Sequence, residues 1–184
     1  MSDDDRSVPL LVLGLGNVLC GDDGLGVVAV HLLQRRYRAP DGVLVLDGGT
    51  LGLSLLPTLE QAREAILVDA IRADGPPGSL VRLEGDDVAP AVAARLSVHQ
   101  VGVLDLLEAA RWRERYPSRL ILLGLVPLSL ELGVVRTPAV EAALAGLVDR
   151  IVAEARGLGH AFVPRTDDET AALGPDDLAH VYGL

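Results

Sequence analysis

Two adjacent acids, Asp22 and Asp23, close the stretch LVLGLGNVLCGDD, where the glycine loop of a nucleotide-binding enzyme would hold a phosphate. More residues able to do chemistry follow at the ends of apolar runs: Asp47 in GVLVLDGGT, Asp69 in AILVDAI, and His99 in LSVHQVG. Carboxylates gathered in one place are costly unless a cation or a shared proton relieves them. Two carboxylates with an imidazole form a mixed hard and borderline donor set. It suits zinc, nickel, iron or manganese and leaves coordination positions open, and spacing alone does not choose among these metals.

Each residue also has a plainer reading. Asp22 fits a helix N-cap or a first-turn acid satisfied by the helix dipole, with Asp23 beside it in the same role. Asp47 before GGT fits a turn-forming side chain. His99 alone is a helix-start histidine, and His31, His160 and His180 read as structural or exposed. Cys20 reads as a small apolar loop residue, because no histidine stands beside it to activate a thiol. A dinucleotide fingerprint is only partly met: Gly14 and Gly16 occupy its first and third positions, but Leu19 stands at the sixth. A pyrophosphate there would also face two acids. No GxSxG elbow and no HExxH pair is present.

The elements that must position these residues follow a regular alternation. VPLLVLGLG reads as a buried strand, followed by a tight loop and a helix with Leu25, Val28 and Leu32 at helical spacing. The runs 42–50 and 65–71 repeat the strand that ends in an acid, separated by Leu51, Leu55, Leu56 and Leu59 at helical spacing. GPPGS (75–79) is a turn and LVRLE after it a strand near the sheet edge. Residues 97–114 predict a helix with Ser97 as N-cap, 119–126 the last buried strand, and the stretch 137–159 a closing helix with Thr137 at N-cap, Pro138 at its first position, Val140, Leu144, Leu147 and Ile151 on one face, and glycines after its end. The expected fold class is therefore α/β. One three-layer domain over residues 8–165 would hold a mostly parallel sheet of about five strands with helices on both faces. Residues 1–7 and 166–184 are expected to be flexible termini. In such a sheet the functional crevice lies beyond the carboxyl ends of the strands, where Asp22, Asp23, Asp47 and Asp69 fall.

Composition narrows the class further. The 184 residues carry a net charge of −10, with 49% apolar and 3% aromatic residues, so the core is aliphatic. The negative balance argues against nucleic acid. Broken apolar runs argue against a membrane span, and with one cysteine and no charged-then-apolar leader the expected address is a reducing cytoplasm.

Taken in order, GLGNVLCGDDGLG, LDGGT, ILVDAI, SVHQVG and LVPLSLELG followed by TP resemble the hydrogenase maturation endopeptidases, from about Val8 to Arg165. The resemblance implies a protease that removes a short C-terminal extension from the large-subunit precursor of a nickel-iron hydrogenase after nickel insertion. It implies metal contacts at Asp23, Asp69 and His99, with nickel brought by the substrate and no nucleotide. Catalysis is assigned to Asp23 and Asp69, and Asp22, Asp47, Gly48 and Gly49 are expected to support the substrate. Some members carry Glu where this chain has Asp23, an arm shorter by one methylene. Two mechanisms follow: the metal polarises the scissile carbonyl while Asp22 or Asp47 accepts a proton, or Asp23 and Asp69 activate water as an acidic pair. Alternatives are a non-catalytic nickel-dependent adaptor of the large subunit and a dinucleotide-binding oxidoreductase. Partner specificity is expected in the loops 72–96 and 127–137.

Overall fold

The computed structural model describes residues 6–93 and 98–172, the side chains of 98–101 and 171–172 excepted. In chain order the elements are β1 (Val8–Leu15), α1 (Leu25–Arg36), β2 (Tyr37–Arg38), β3 (Val43–Gly49), α2 (Leu56–Gln61), β4 (Ala62–Ala70), β5 (Leu80–Glu84), α3 (Val88–Ala93), α4 (Val98–Trp112), β6 (Arg119–Leu125), α5 (Pro138–Gly157), β7 (Val163–Pro164) and α6 (Asp167–Ala172). Five strands form one sheet in the order β3-β1-β4-β6-β5. All neighbours are parallel except β5, which runs antiparallel to β6 at the edge. The expected α/β sandwich is the observed one.

The strands read as unbroken apolar runs because they are covered on both faces. Leu10 and Val12 of β1 pack with Ile66 and Val68 of β4 under α1 and α5. Their alternate neighbours Leu11, Leu13, Ala65 and Leu67 pack on the opposite side with α2, α3 and α4. Among the described residues no helix is long and apolar enough to cross a membrane.

Helix α1 sits unusually close to the sheet, and glycine makes this possible. A Cβ on Gly26 would lie 2.1 Å from the Val68 carbonyl oxygen and 2.5 Å from that of Leu15. The glycines of the N-terminal loop therefore serve backbone packing. Gly16 has φ +120, and a Cβ there would meet the Asp23 carbonyl oxygen at 1.9 Å. The main chain of Asp23 fills the space that a pyrophosphate would need, which removes the physical basis of the dinucleotide reading.

Some local expectations are corrected. The buried stripe of α1 includes Leu25, Val28 and Leu33, while Leu32 is only partly covered. Leu51 is 59% exposed, because a 3-10 turn over Gly52–Leu55 precedes α2 and rotates it out of the helical stripe. Thr137 occupies the N-cap of α5, but its hydroxyl makes no cap bond. Residues 167–172, expected in a loose tail, form α6. Thr166 and Glu169 make a reciprocal capping box there, with the Thr166 N–H donating to the Glu169 carboxylate at 2.9 Å and the Glu169 N–H to the Thr166 hydroxyl at 3.3 Å. Ser97 lies outside the described residues.

Gly26→Ala is expected to cost about 3 kcal/mol, the upper range for overpacking, because backbone cannot yield as a side chain can. Gly146→Ala, on an open face of α5 with nothing within 4 Å of its Cβ, should gain about 0.5–1 kcal/mol. Urea midpoints of both variants against the parent protein check the pair.

Candidate active site

Three charged side chains are buried among the described residues: Asp22, Asp23 and Asp69, at 0%, 2% and 1% exposure. All three stand at the carboxyl edge of the sheet. Asp22 and Asp23 lie in a 3-10 turn (Gly21–Gly24) between β1 and α1, and this turn packs against β4. Asp69 is the penultimate residue of β4, in register with Gly124 of β6.

The two adjacent acids face different partners. The Asn17 N–H donates to Asp23 Oδ2 at 2.9 Å, and the Leu19 N–H donates to the Asn17 side-chain oxygen at 3.0 Å, so the loop wraps around the Asp23 carboxylate. Asp22 instead reaches the segment between β6 and α5. Its carboxylate accepts from the N–H groups of Leu128, Ser129 and Thr137 and from the Thr137 hydroxyl. Burial pushes the Asp22 carboxyl up, but the hydrogen bonds from Thr137, Leu128 and Ser129 outweigh it and hold its pKa below the ordinary 3.8. The expected dipole-satisfied first-turn acid is thus a cross-link between two loops. Nothing local in sequence marks these partners, which lie more than a hundred residues away.

Asp69 Oδ1 accepts from the Ala70 N–H at 2.7 Å. His99 is the second residue of α4, a helix that packs on the 3-10 turn after β3, where the backbones of Gly52 and Gly102 touch. Its backbone therefore starts at the same edge, while its side chain lies outside the described residues. Among the described residues no group of three or more His, Cys, Asp or Glu side chains is arranged around a metal position. The buried Asp23 and Asp69 carboxylates are donors of the hard type that a divalent cation takes, and they are two of the three residues that the sequence reading names as ligands.

Asp47 stands two residues before the end of β3, with Oδ2 placed 3.0 Å from His31 Nε2 of α1. The pairing was not visible in sequence, where His31 read as a structural or exposed residue. Gly48 and Gly49 have packing and turning roles in the structure. A Cβ on Gly48 would lie 2.7 Å from Leu13 Cδ1, and the Gly49 carbonyl accepts from the Gly16 N–H. Around the acids, the 127–137 segment exposes Leu128, Leu132 and Val135, the last two above 80%.

The family described as hydrogenase maturation protease (HycI) matches residues 27–154, more than half of the chain. The chain belongs to the hydrogenase maturation protease family. It is 38% identical over 157 residues to the hydrogenase 2 maturation protease of Escherichia coli, covering 85% of this chain and 96% of that protein. It is 43% identical over 150 residues to the hydrogenase expression/formation protein HupD of Bradyrhizobium diazoefficiens, covering 80% and 77% of the two. The solved structure of the hydrogenase maturating endopeptidase HybD from E. coli superposes with a TM-score of 0.82 at 37% identity, covering 87% of this chain and 99% of that one. A nickel-iron hydrogenase maturation protease HybD from Thermococcus kodakarensis gives 0.65 at 28% identity, covering 78% and 97%. The family is one of peptidases.

For a peptidase, the nucleophile question turns first on Cys20. Burial, and next the nearby Asp23 charge, push its thiol above the ordinary 9.0, so the thiolate is scarce at neutral pH. Cys20→Ser is expected to retain peptidase activity. Iodoacetamide should alkylate Cys20 in the folded protein more slowly than free cysteine at pH 7.5, and mass spectrometry of the time course checks this.

Proposed function

We propose that the chain is an endopeptidase that removes the C-terminal extension from the nickel-loaded large-subunit precursor of a nickel-iron hydrogenase. The observation that carries the reading is the burial of Asp23 and Asp69 together at the carboxyl edge of a family fold. In this reading Asp23, Asp69 and His99 complete the coordination of nickel brought by the substrate, so the enzyme tests for the metal before cutting. Nickel held by these three residues would supply Lewis-acid polarisation of the scissile carbonyl.

Asp22 takes no part in proton transfer, because its carboxylate is engaged by four donors. Asp47 is the better proton acceptor, partly exposed and backed by His31, which can carry the proton onward. The burial of two carboxylates also supports a second version, in which Asp23 and Asp69 share one proton and activate water without a metal. Gly48 and Gly49 keep the end of β3 narrow beside the substrate path, and the exposed leucines and valines of 127–137 contribute to the partner surface. The compartment is the cytoplasm, where a reduced Cys20 is stable.

Mass spectrometry of a large-subunit precursor, incubated with and without nickel, tests the reading. The parent protein is expected to remove one C-terminal segment only from the nickel-loaded form, and Asp69→Asn and His99→Ala to lower the rate by roughly 100-fold or more. Cleavage independent of nickel selects the acidic-pair version. A stable complex whose precursor mass never changes makes the chain an adaptor and rejects the protease reading.

A further inference from the structure

The acid doublet raises a question that the proposed chemistry leaves open: why a second buried carboxylate stands next to Asp23. The four donors on Asp22 belong to one segment. Leu128 and Ser129 N–H reach Oδ2 at 2.9 and 3.2 Å, the Thr137 hydroxyl reaches the same oxygen at 2.8 Å, and the Thr137 N–H reaches Oδ1 at 2.7 Å. Three backbone bonds run alongside. The Gly21 N–H donates to the Gly133 carbonyl at 2.6 Å, the Asp22 N–H to that of Ser129 at 3.0 Å, and the Gly133 N–H to that of Leu19 at 2.8 Å. The segment 127–137 is thereby strapped across the turn that carries Asp23.

We propose that Asp22 is a positioning residue, whose carboxylate locks the 127–137 strap onto the Gly21–Gly24 turn and so holds the neighbouring Asp23 in its working place. The requirement is for a carboxylate specifically. Three of the four donors are backbone N–H groups that cannot be turned round, and they approach both oxygens. An asparagine can offer an oxygen to one side only, and its amide hydrogens then face either Thr137 N–H or the Leu128 and Ser129 N–H pair. Thr137 serves the same lock from the far side, which explains why its hydroxyl is spent on Asp22 and not on capping α5. A released strap leaves the turn free to shift, and a displacement of about 1 Å at a reacting group can cost about 100-fold in rate.

The kinetic arm of the test rests on the processing activity proposed above, and the exchange arm does not. In the folded protein alone, hydrogen exchange at the amides of Leu128, Ser129 and Thr137 should be slow in the parent and markedly faster in Asp22→Asn. Unchanged protection overturns the lock. In precursor cleavage, Asp22→Asn should lower kcat about tenfold or more while KM stays within about twofold and the pH profile keeps its shape. Full kcat overturns the proposal, as does a loss confined to KM, or the disappearance of one limb of the pH profile, which marks direct proton transfer. Thr137→Val removes one of the four bonds with little risk to folding. It should give a smaller fall in kcat and add nothing further in the Asp22→Asn background, and full additivity rejects a shared lock. A parent protein that leaves the precursor uncut rejects the processing activity instead, and the exchange rates then decide the lock alone.

Discussion

A carboxylate withdrawn from water costs several kcal/mol unless donors or a cation replace the lost hydration, and the loop after β1 withdraws two in succession. Much of the carboxyl edge of this sheet can be understood as the means of meeting that cost. For Asp22 the donors come from across the fold, from the start of the β6–α5 segment and from its end at Thr137. For Asp23 they come from within the loop, through Asn17. One acid therefore ties the first loop to the last, and the other organises the first loop around itself.

Such an arrangement needs backbone that can come very close to backbone. Gly16 lets the loop fold onto the Asp23 carbonyl, and Gly26 lets the first turn of α1 press on the ends of β1 and β4. Gly124 does the same beside Asp69, where a Cβ would lie 1.8 Å from the Asp69 carbonyl oxygen. A pattern that looks like a phosphate cradle is here a set of contacts at which no side chain fits. The difference from a dinucleotide site lies in what fills the space above the glycines: protein main chain in place of ligand.

The end of β4 is legible in sequence because an apolar run that stops at an acid, Asp69, is a local signal, and the acid doublet after the first glycine loop is visible too, but only the family resemblance singles out Asp23 from Asp22. The long-range partners are not. Nothing near Asp22 announces Thr137, and nothing near Asp47 announces His31, since both pairings depend on how helices and loops return to the sheet. Thr137 stands at the N-cap that the sequence predicts, but its hydroxyl binds Asp22 and not the helix start, a use that only the tertiary context reveals. The short helix α6 was missed although its capping box, Thr166 and Glu169, is a local signal. The polar composition of the tail outweighed it. His99 could be placed on its helix but not in the site, because its side chain lies outside the described residues.

The geometry of the turn explains how neighbours can have unlike roles. A 3-10 helix has three residues per turn, so consecutive side chains point about 120° apart. On the Gly21–Gly24 turn this sends Asp22 outward to the strap and Asp23 back under Asn17. An α-helical start at the same place would give a similar angle but would need longer hydrogen-bonded rings before the helix could begin. The tight turn spaces the two acids on opposite sides in the fewest residues. The doublet is then one acid tied to a distant segment and one enclosed by its own loop, two buried carboxylates whose hydration is replaced from opposite directions.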